Sequence, residues 1–260
     1  MEYNIVLQQK NNEQSLLCKK EALIFLMMIQ AKALSKSYKS NNALQALDLQ
    51  INEGTIYALL GANGAGKSTT VNLFMGFIEP TAGEASINNI KVSNGGAATK
   101  PYIAYIPENV MLYQHLTGLQ NLGFFSGLNG KKYSTEQLIQ LLNRAGLQAS
   151  AHKQNVGSYS KGMRQKVGIA LALAKQAKAL FLDEPTSGLD PLASNEFSSI
   201  LHSLKKEGVA ILMVTHDLFR AKETADVIGI MKEGRLVKEV YANTITATGL
   251  EDLYVSISKL

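Results

Sequence analysis

Apolar positions along the chain fall into two recurring patterns. Short runs bounded by glycine, proline, asparagine or acidic residues read as strands; apolar residues three and four apart behind a serine or threonine cap read as helices. Thr55-Ile56-Tyr57-Ala58-Leu59-Leu60, Ala179-Leu180-Phe181-Leu182 and Val209-Ala210-Ile211-Leu212-Met213-Val214 are continuous apolar runs, as strands buried on both faces are. Ala31–Tyr38, Tyr102–Ile106 and Arg235–Lys238 also read as strands, and Ala46–Ile51 alternates with period two before the turn Asn52-Glu53-Gly54. Glu79–Glu84 reads as a turn, Asn88-Asn89 as a hairpin turn between two short strands, and Glu233-Gly234 as another turn after Asp226–Met231. An antiparallel β patch is thereby expected beside the first buried strand.

Between residues 109 and 160 the character becomes helical. Thr117-x-x-Gln120 and Ser134-x-x-Gln137 are capping-box patterns ahead of apolar residues at helical spacing. Val167–Ala174 is a small-residue helix, and Asp190 before Pro191 is the start signal of another. The expected organisation is an N-terminal extension at 1–27, a domain at 28–240 carrying a helical insertion at about 109–160, and a helical tail at 241–260. Residues 8–14 are polar and unperiodic, which sets the extension apart, and Met28 is a candidate start of the chain.

The strongest chemical signal follows the first buried run: Gly61-Ala62-Asn63-Gly64-Ala65-Gly66-Lys67-Ser68-Thr69. A strand that breaks into G-x-x-x-x-G-K-S and then a helix is a phosphate loop, the mark of a P-loop NTPase core in an α/β fold. Glycines let the backbone curl, successive N–H groups point inward, and the helix N-terminus adds partial positive charge. In this motif Lys67 reaches the β- and γ-phosphates and Ser68 ligates Mg²⁺. The second half of a nucleotide site is the apolar run ending in Asp183-Glu184, since α/β sheets place their ligands beyond the carboxyl ends of the strands.

Composition narrows the rest. Net charge is +5 and the first forty residues hold six lysines against three glutamates, but these are scattered and no aromatic residues interleave with arginines, so nucleic acid is not an expected partner. One cysteine, Cys18, leaves no internal disulfide and no multi-cysteine zinc site. The longest apolar run, Ala22–Ile29, is far shorter than the ~20 residues of a membrane helix. Residence in the cytoplasm is the expectation.

Taken in order, Tyr38, Gly61 to Thr69, Glu108, Ser160 to Gln165, Asp183-Glu184, Ser187 to Asp190 and His216 resemble the ATP-binding cassette of ABC transporters, over residues 29 to 240. Within that family the chain looks most like ATPase subunits of sodium and antibiotic exporters, which carry similar Tyr-x-Pro-Glu and Tyr-Ser-Lys-Gly-Met forms. The resemblance implies a P-loop core with an antiparallel β subdomain and an inserted α-helical subdomain. It implies that Tyr38 stacks on adenine, Asp183 holds Mg²⁺ through water, Glu184 polarises the attacking water and His216 bonds the γ-phosphate. Ser160, Gly162 and Asp190 then act across a dimer on ATP bound to the other subunit. Two positions depart from the common pattern. Lys161 and its neighbours replace the Leu-Ser-Gly-Gly-Gln form, with Lys161 expected to add positive charge near the phosphates, and Glu108 stands where most cassettes have glutamine, expected to sense the metal and the water.

What the resemblance implies as partners is ATP and ADP, a head-to-tail homodimer or a paralogous ATPase subunit, and separate transmembrane permease subunits that hold the protein at the inner face of the membrane. An importer ATPase is one alternative. A soluble cassette ATPase of DNA repair or translation is another, though those carry two cassettes or a long coiled coil, and this chain has one cassette.

Overall fold

In the computed structural model, which describes residues 27–39 and 41–259, the chain opens with β1 (Met27–Tyr38), β2 (Asn41–Asn52) and β3 (Ile56–Leu60), then the glycine-rich loop and α1 (Lys67–Phe74). The hairpin of β4 (Ala82–Ile87) and β5 (Ile90–Lys91) turns at Asn88 and Asn89, whose φ of 50° and 59° are the left-handed values a two-residue turn needs. Next come β6 (Ile103–Ile106), α2 (Gly118–Leu128), α3 (Thr135–Arg144), α4 (Lys161–Lys175) and β7 (Ala179–Asp183). The remainder is α5 (Pro191–Lys206), β8 (Ala210–Thr215), α6 (Leu218–Thr224), β9 (Val227–Lys232), β10 (Arg235–Tyr241) and α7 (Ala247–Lys259). The expected extension, apart from Met27, and Cys18 lie outside the described residues.

Two sheets form among the described residues. One is antiparallel, in the order β2-β1-β4-β5; the other, in the order β10-β9-β3-β8-β7-β6, is parallel except for the β9–β10 hairpin at its edge. With the helices of the insertion, this is the expected P-loop NTPase core carrying an antiparallel sheet and a helical subdomain. Both expected capping boxes are present, with Thr117 Oγ1 accepting from Gln120 N and Ser134 Oγ accepting from Gln137 N.

The continuous apolar runs are explained by two cores on opposite faces of one sheet. In β3, Ile56, Ala58 and Leu60 join the core shared with the helices, while Tyr57 and Leu59 join the core beneath the antiparallel sheet. β7 divides in the same way, Leu180 and Leu182 against Ala179 and Phe181. Such side chains contribute ~1.5–3 kcal/mol each on burial, so polar residues have no place on either face.

Three elements differ from the sequence reading. Ala82-Gly83-Glu84, read as part of a turn, begin β4, because pairing with β1 at Lys32↔Glu84 and Ser35↔Ala82 outweighs their turn-like composition. β2 starts five residues earlier than its period-two pattern, at the polar Asn41, and Ser37 and Tyr38 of β1 pair with Asn42 and Asn41. The short helix α6 had no counterpart in the apolar pattern, although Asp217 caps it by accepting from Arg220 N at 3.0 Å.

Candidate active site

The loop between β3 and α1 is shaped by its glycines. Gly66 has φ 103°, and a Cβ there would stand 2.6 Å from the Ala43 carbonyl oxygen, so no other residue fits. Gly64, with φ 83°, has open space around it and is constrained by conformation alone. The β9–β10 turn supports the loop from behind, Gly234 N donating to Ala65 O at 3.0 Å. A cleft of about 630 Å³ is lined by residues 62–69 together with Tyr38, Asn41 to Ala43, Gln45 and Glu233. Gly61 sits behind it, buried, where a Cβ would meet Met231 O at 2.7 Å. Tyr38 is 46% exposed, and Lys36 Nζ lies 5.1 Å over its ring centroid.

Lys67 is buried, and its Nζ donates to Gly61 O at 2.6 Å and Ala62 O at 3.2 Å. Burial pushes the ammonium below the usual lysine range, against the pull of Glu184 and Asp183. Strand register brings those acids to the same edge: Leu60 pairs with Thr215, and Asp183 with Val214. Asp183 is held above the ordinary carboxylate range by burial, with Glu184 and Glu108 adding to the rise, while a long hydrogen bond from Tyr105 Oη (3.4 Å) opposes it. The Tyr105 phenol is itself pushed up to about 12 by burial and by Asp183.

Glu184 has φ 45°, a left-handed conformation rarely adopted outside glycine. Its amide donates to Val214 O at 2.9 Å, which holds it there. The carboxylate accepts from Thr215 Oγ1 at 3.0 Å and lies 2.7 Å from His216 Nδ1. Since a carboxylate only accepts, Nδ1 carries the hydrogen and Nε2 points elsewhere.

A second cluster surrounds Glu108. Its Oε1 accepts from Lys161 Nζ and from Ser187 Oγ, each at 3.1 Å, and these donors hold the carboxyl below its usual range. Gln165, fully buried on α4, donates from Nε2 to Glu108 O at 2.9 Å and Pro107 O at 3.2 Å. The Lys161 charge expected near the phosphates is therefore engaged by Glu108. Thr215 and Tyr105 were not singled out in the sequence, and Gln165 and Ser187, although they bound two of its motifs, were given no role there. Their contacts link residues 31 to 79 positions apart, and no local pattern reports such distances.

Ser160, Gly162 and Asp190 meet in another place. Ser160 caps α4, accepting from Met163 N at 3.2 Å, and Asp190 caps α5, accepting from Ala193 N at 2.8 Å. With Gly162 they line a cleft of about 240 Å³ that shares no lining residue with the phosphate-loop cleft.

Oxygen donors from Ser68 and Asp183 suit Mg²⁺, a hard cation that keeps part of its water shell and shares its ligands with phosphate. Asp183, raised first by burial and then by the neighbouring carboxylates, is a group that a cation would relieve. No group of three or more His, Cys, Asp or Glu able to hold a metal by themselves occurs among the described residues.

A glycine-rich loop at a helix start, with its lysine and two strand-end acids at the same edge of the sheet, defines a P-loop nucleoside triphosphatase. Residues 44–187 match the ABC transporter family, and the chain belongs to it as an ATP-binding, ATP-hydrolysing subunit. It is 35% identical to the lantibiotic transport ATP-binding protein SrtF of Streptococcus pyogenes over 82% of this chain and 90% of that one. A fluoroquinolones export ATP-binding protein of Mycobacterium tuberculosis is 37% identical over 75% of this chain and 64% of its own length. Among solved structures, the dimeric post-hydrolysis state of the ATP-binding cassette MJ0796 bound to ADP and Pi superposes with a TM-score of 0.73, at 26% identity, over 83% of this chain and 99% of that one.

Proposed function

We propose that this chain is the ATPase subunit of an ABC exporter, converting ATP and water to ADP and phosphate and driving conformational change in separate transmembrane permease subunits. The observation that carries this reading is the separation of the two clefts. Residues 62–69 line one and Ser160, Gly162 and Asp190 line the other, with nothing in common. Two half-sites apart in one chain become one site when a second copy docks head to tail, each Ser160 facing the other copy's phosphate loop. The dimeric cassette bound to ADP and Pi supports that arrangement, and the relatives described by lantibiotic transport and fluoroquinolones export support the transport role. No helix among the described residues is long and apolar enough to cross a membrane. The exposed Met111, Phe124 and Leu128 of the helical insertion, with Tyr113 packed edge-on to Phe124, offer the permease an apolar face.

In this reading the loop amides and Lys67 hold the phosphates, and Tyr38 stacks on the adenine. Ser68 and Asp183 would hold Mg²⁺, with Glu108 beside them, and the bound ion would supply charge neutralisation to the phosphates. Glu184 orients the attacking water and takes its proton as the water's oxygen bonds to the γ-phosphorus and the bond from that phosphorus to the β–γ bridging oxygen breaks, its electron pair leaving with ADP. His216 keeps Glu184 in place through Nδ1, and Nε2, when it too carries a hydrogen, donates to the γ-phosphate.

Light scattering of Glu184→Gln with Mg²⁺ and either ATP or ADP tests the reading. A dimer that forms with ATP and not with ADP is the expected result. A protein that binds ATP yet stays monomeric across the concentration range would sink the shared-site arrangement.

A further inference from the structure

We propose that Lys161 is a positioning residue for Glu108, and that the two act as a matched pair in nucleotide binding. The proposal rests on the ATPase reading above.

Glu108 joins three separate segments. Its side chain accepts from Lys161 at the first position of α4 and from Ser187 in the loop after β7, while its carbonyl is held by the buried Gln165. Main chain and side chain are thus fastened to the same helix, the one that begins at Ser160. Ser187, which holds the Glu108 carboxylate, lies three residues after Glu184 in the loop that follows Asp183, so Glu108 is a third carboxylate at that end of the sheet.

A site that receives a polyphosphate gains nothing from a third negative charge. Lys161 Nζ, 3.1 Å from Oε1, offsets that charge and fixes the carboxylate's direction. The two departures from the common sequence pattern are then one physical feature, a carboxylate and its counter-charge. The side chains are 45% and 22% exposed, so water and salt weaken the pair and the effect is several-fold.

The experiment is a double-mutant cycle over Glu108→Gln and Lys161→Ala, reading the affinity of a fluorescent ATP analogue with Mg²⁺ and the ATPase rate. Lys161→Ala should weaken analogue binding about three- to tenfold when Glu108 is present, and less than twofold when it is introduced into Glu108→Gln. Lys161→Arg should bind as the parent does, and the Lys161→Ala defect should shrink at high salt. A Lys161→Ala effect of the same size in both backgrounds, or a Lys161→Ala protein that binds normally, would overturn the pairing. Loss of analogue binding and hydrolysis in the parent would overturn the ATPase reading with it.

Discussion

Tyr105 Oη lies 3.4 Å from Asp183 Oδ2, a long hydrogen bond between neighbouring parallel strands, β6 and β7. With its own ionisation pushed up to about 12, the phenol remains a donor throughout the working pH range. It favours the charged form of an acid that burial disfavours. Removing the hydroxyl in Tyr105→Phe should therefore move the acid limb of the kcat/KM profile to higher pH, with the plateau rate little changed. An unmoved limb would show that Asp183 does not govern it.

The same acid makes a prediction about stability. A carboxyl whose pKa is raised in the folded chain holds its proton more tightly there than when unfolded. Its stabilising contribution is complete below the unfolded value and is lost as pH rises through the folded one. Asp183→Asn should accordingly melt higher than the parent at neutral pH in protein free of nucleotide, and the difference should vanish in acid. The variant should lose its metal-dependent ATPase activity. A melting difference independent of pH would count against this account.

Glu184 sits in a strained backbone conformation, and its neutral isostere keeps the side chain's shape and one of its two acceptor oxygens while removing the base. Single-turnover hydrolysis by Glu184→Gln should fall by about 10²- to 10⁴-fold while ATP affinity stays within a few-fold. An equal loss in affinity would make Glu184 a binding residue instead.

The helical insertion is specified locally. Thr117→Ala removes one half of a reciprocal cap and should cost about 1 kcal/mol, a shift of roughly 2–4 °C in Tm. Gly118→Ala should cost much more, because its Cβ would stand 2.3 Å from the Tyr159 hydroxyl oxygen, and that buried phenol is anchored to Ala151 O at 2.6 Å. Thermal unfolding of both variants separates a lost cap from a steric clash.

Features carried by neighbouring residues were readable in advance. The phosphate loop, both capping boxes and the Asn88-Asn89 turn each depend on residues within a few positions of one another. Short or polar elements were harder: α6 has seven residues, too few for a helical period to show, and the first five residues of β2 are mostly polar. Within the site, the acids announced themselves as the end of an apolar run, but the partners that orient them did not. Thr215 is 31 residues from Glu184 and Lys161 is 53 from Glu108, and only the folded sheet brings them together.

β3 lies between β8 and β9, and its pairing Ile56↔Ile211 joins segments made at very different times. At roughly 5–20 residues per second, a ribosome takes on the order of ten seconds or more to deliver those partners. Throughout that interval Ile56-Tyr57-Ala58-Leu59-Leu60 is an apolar strand with two open edges, the kind of segment that self-associates. Until residue 230 has emerged neither edge of this strand can be fully paired, and crowded expression should lose protein to aggregation here first.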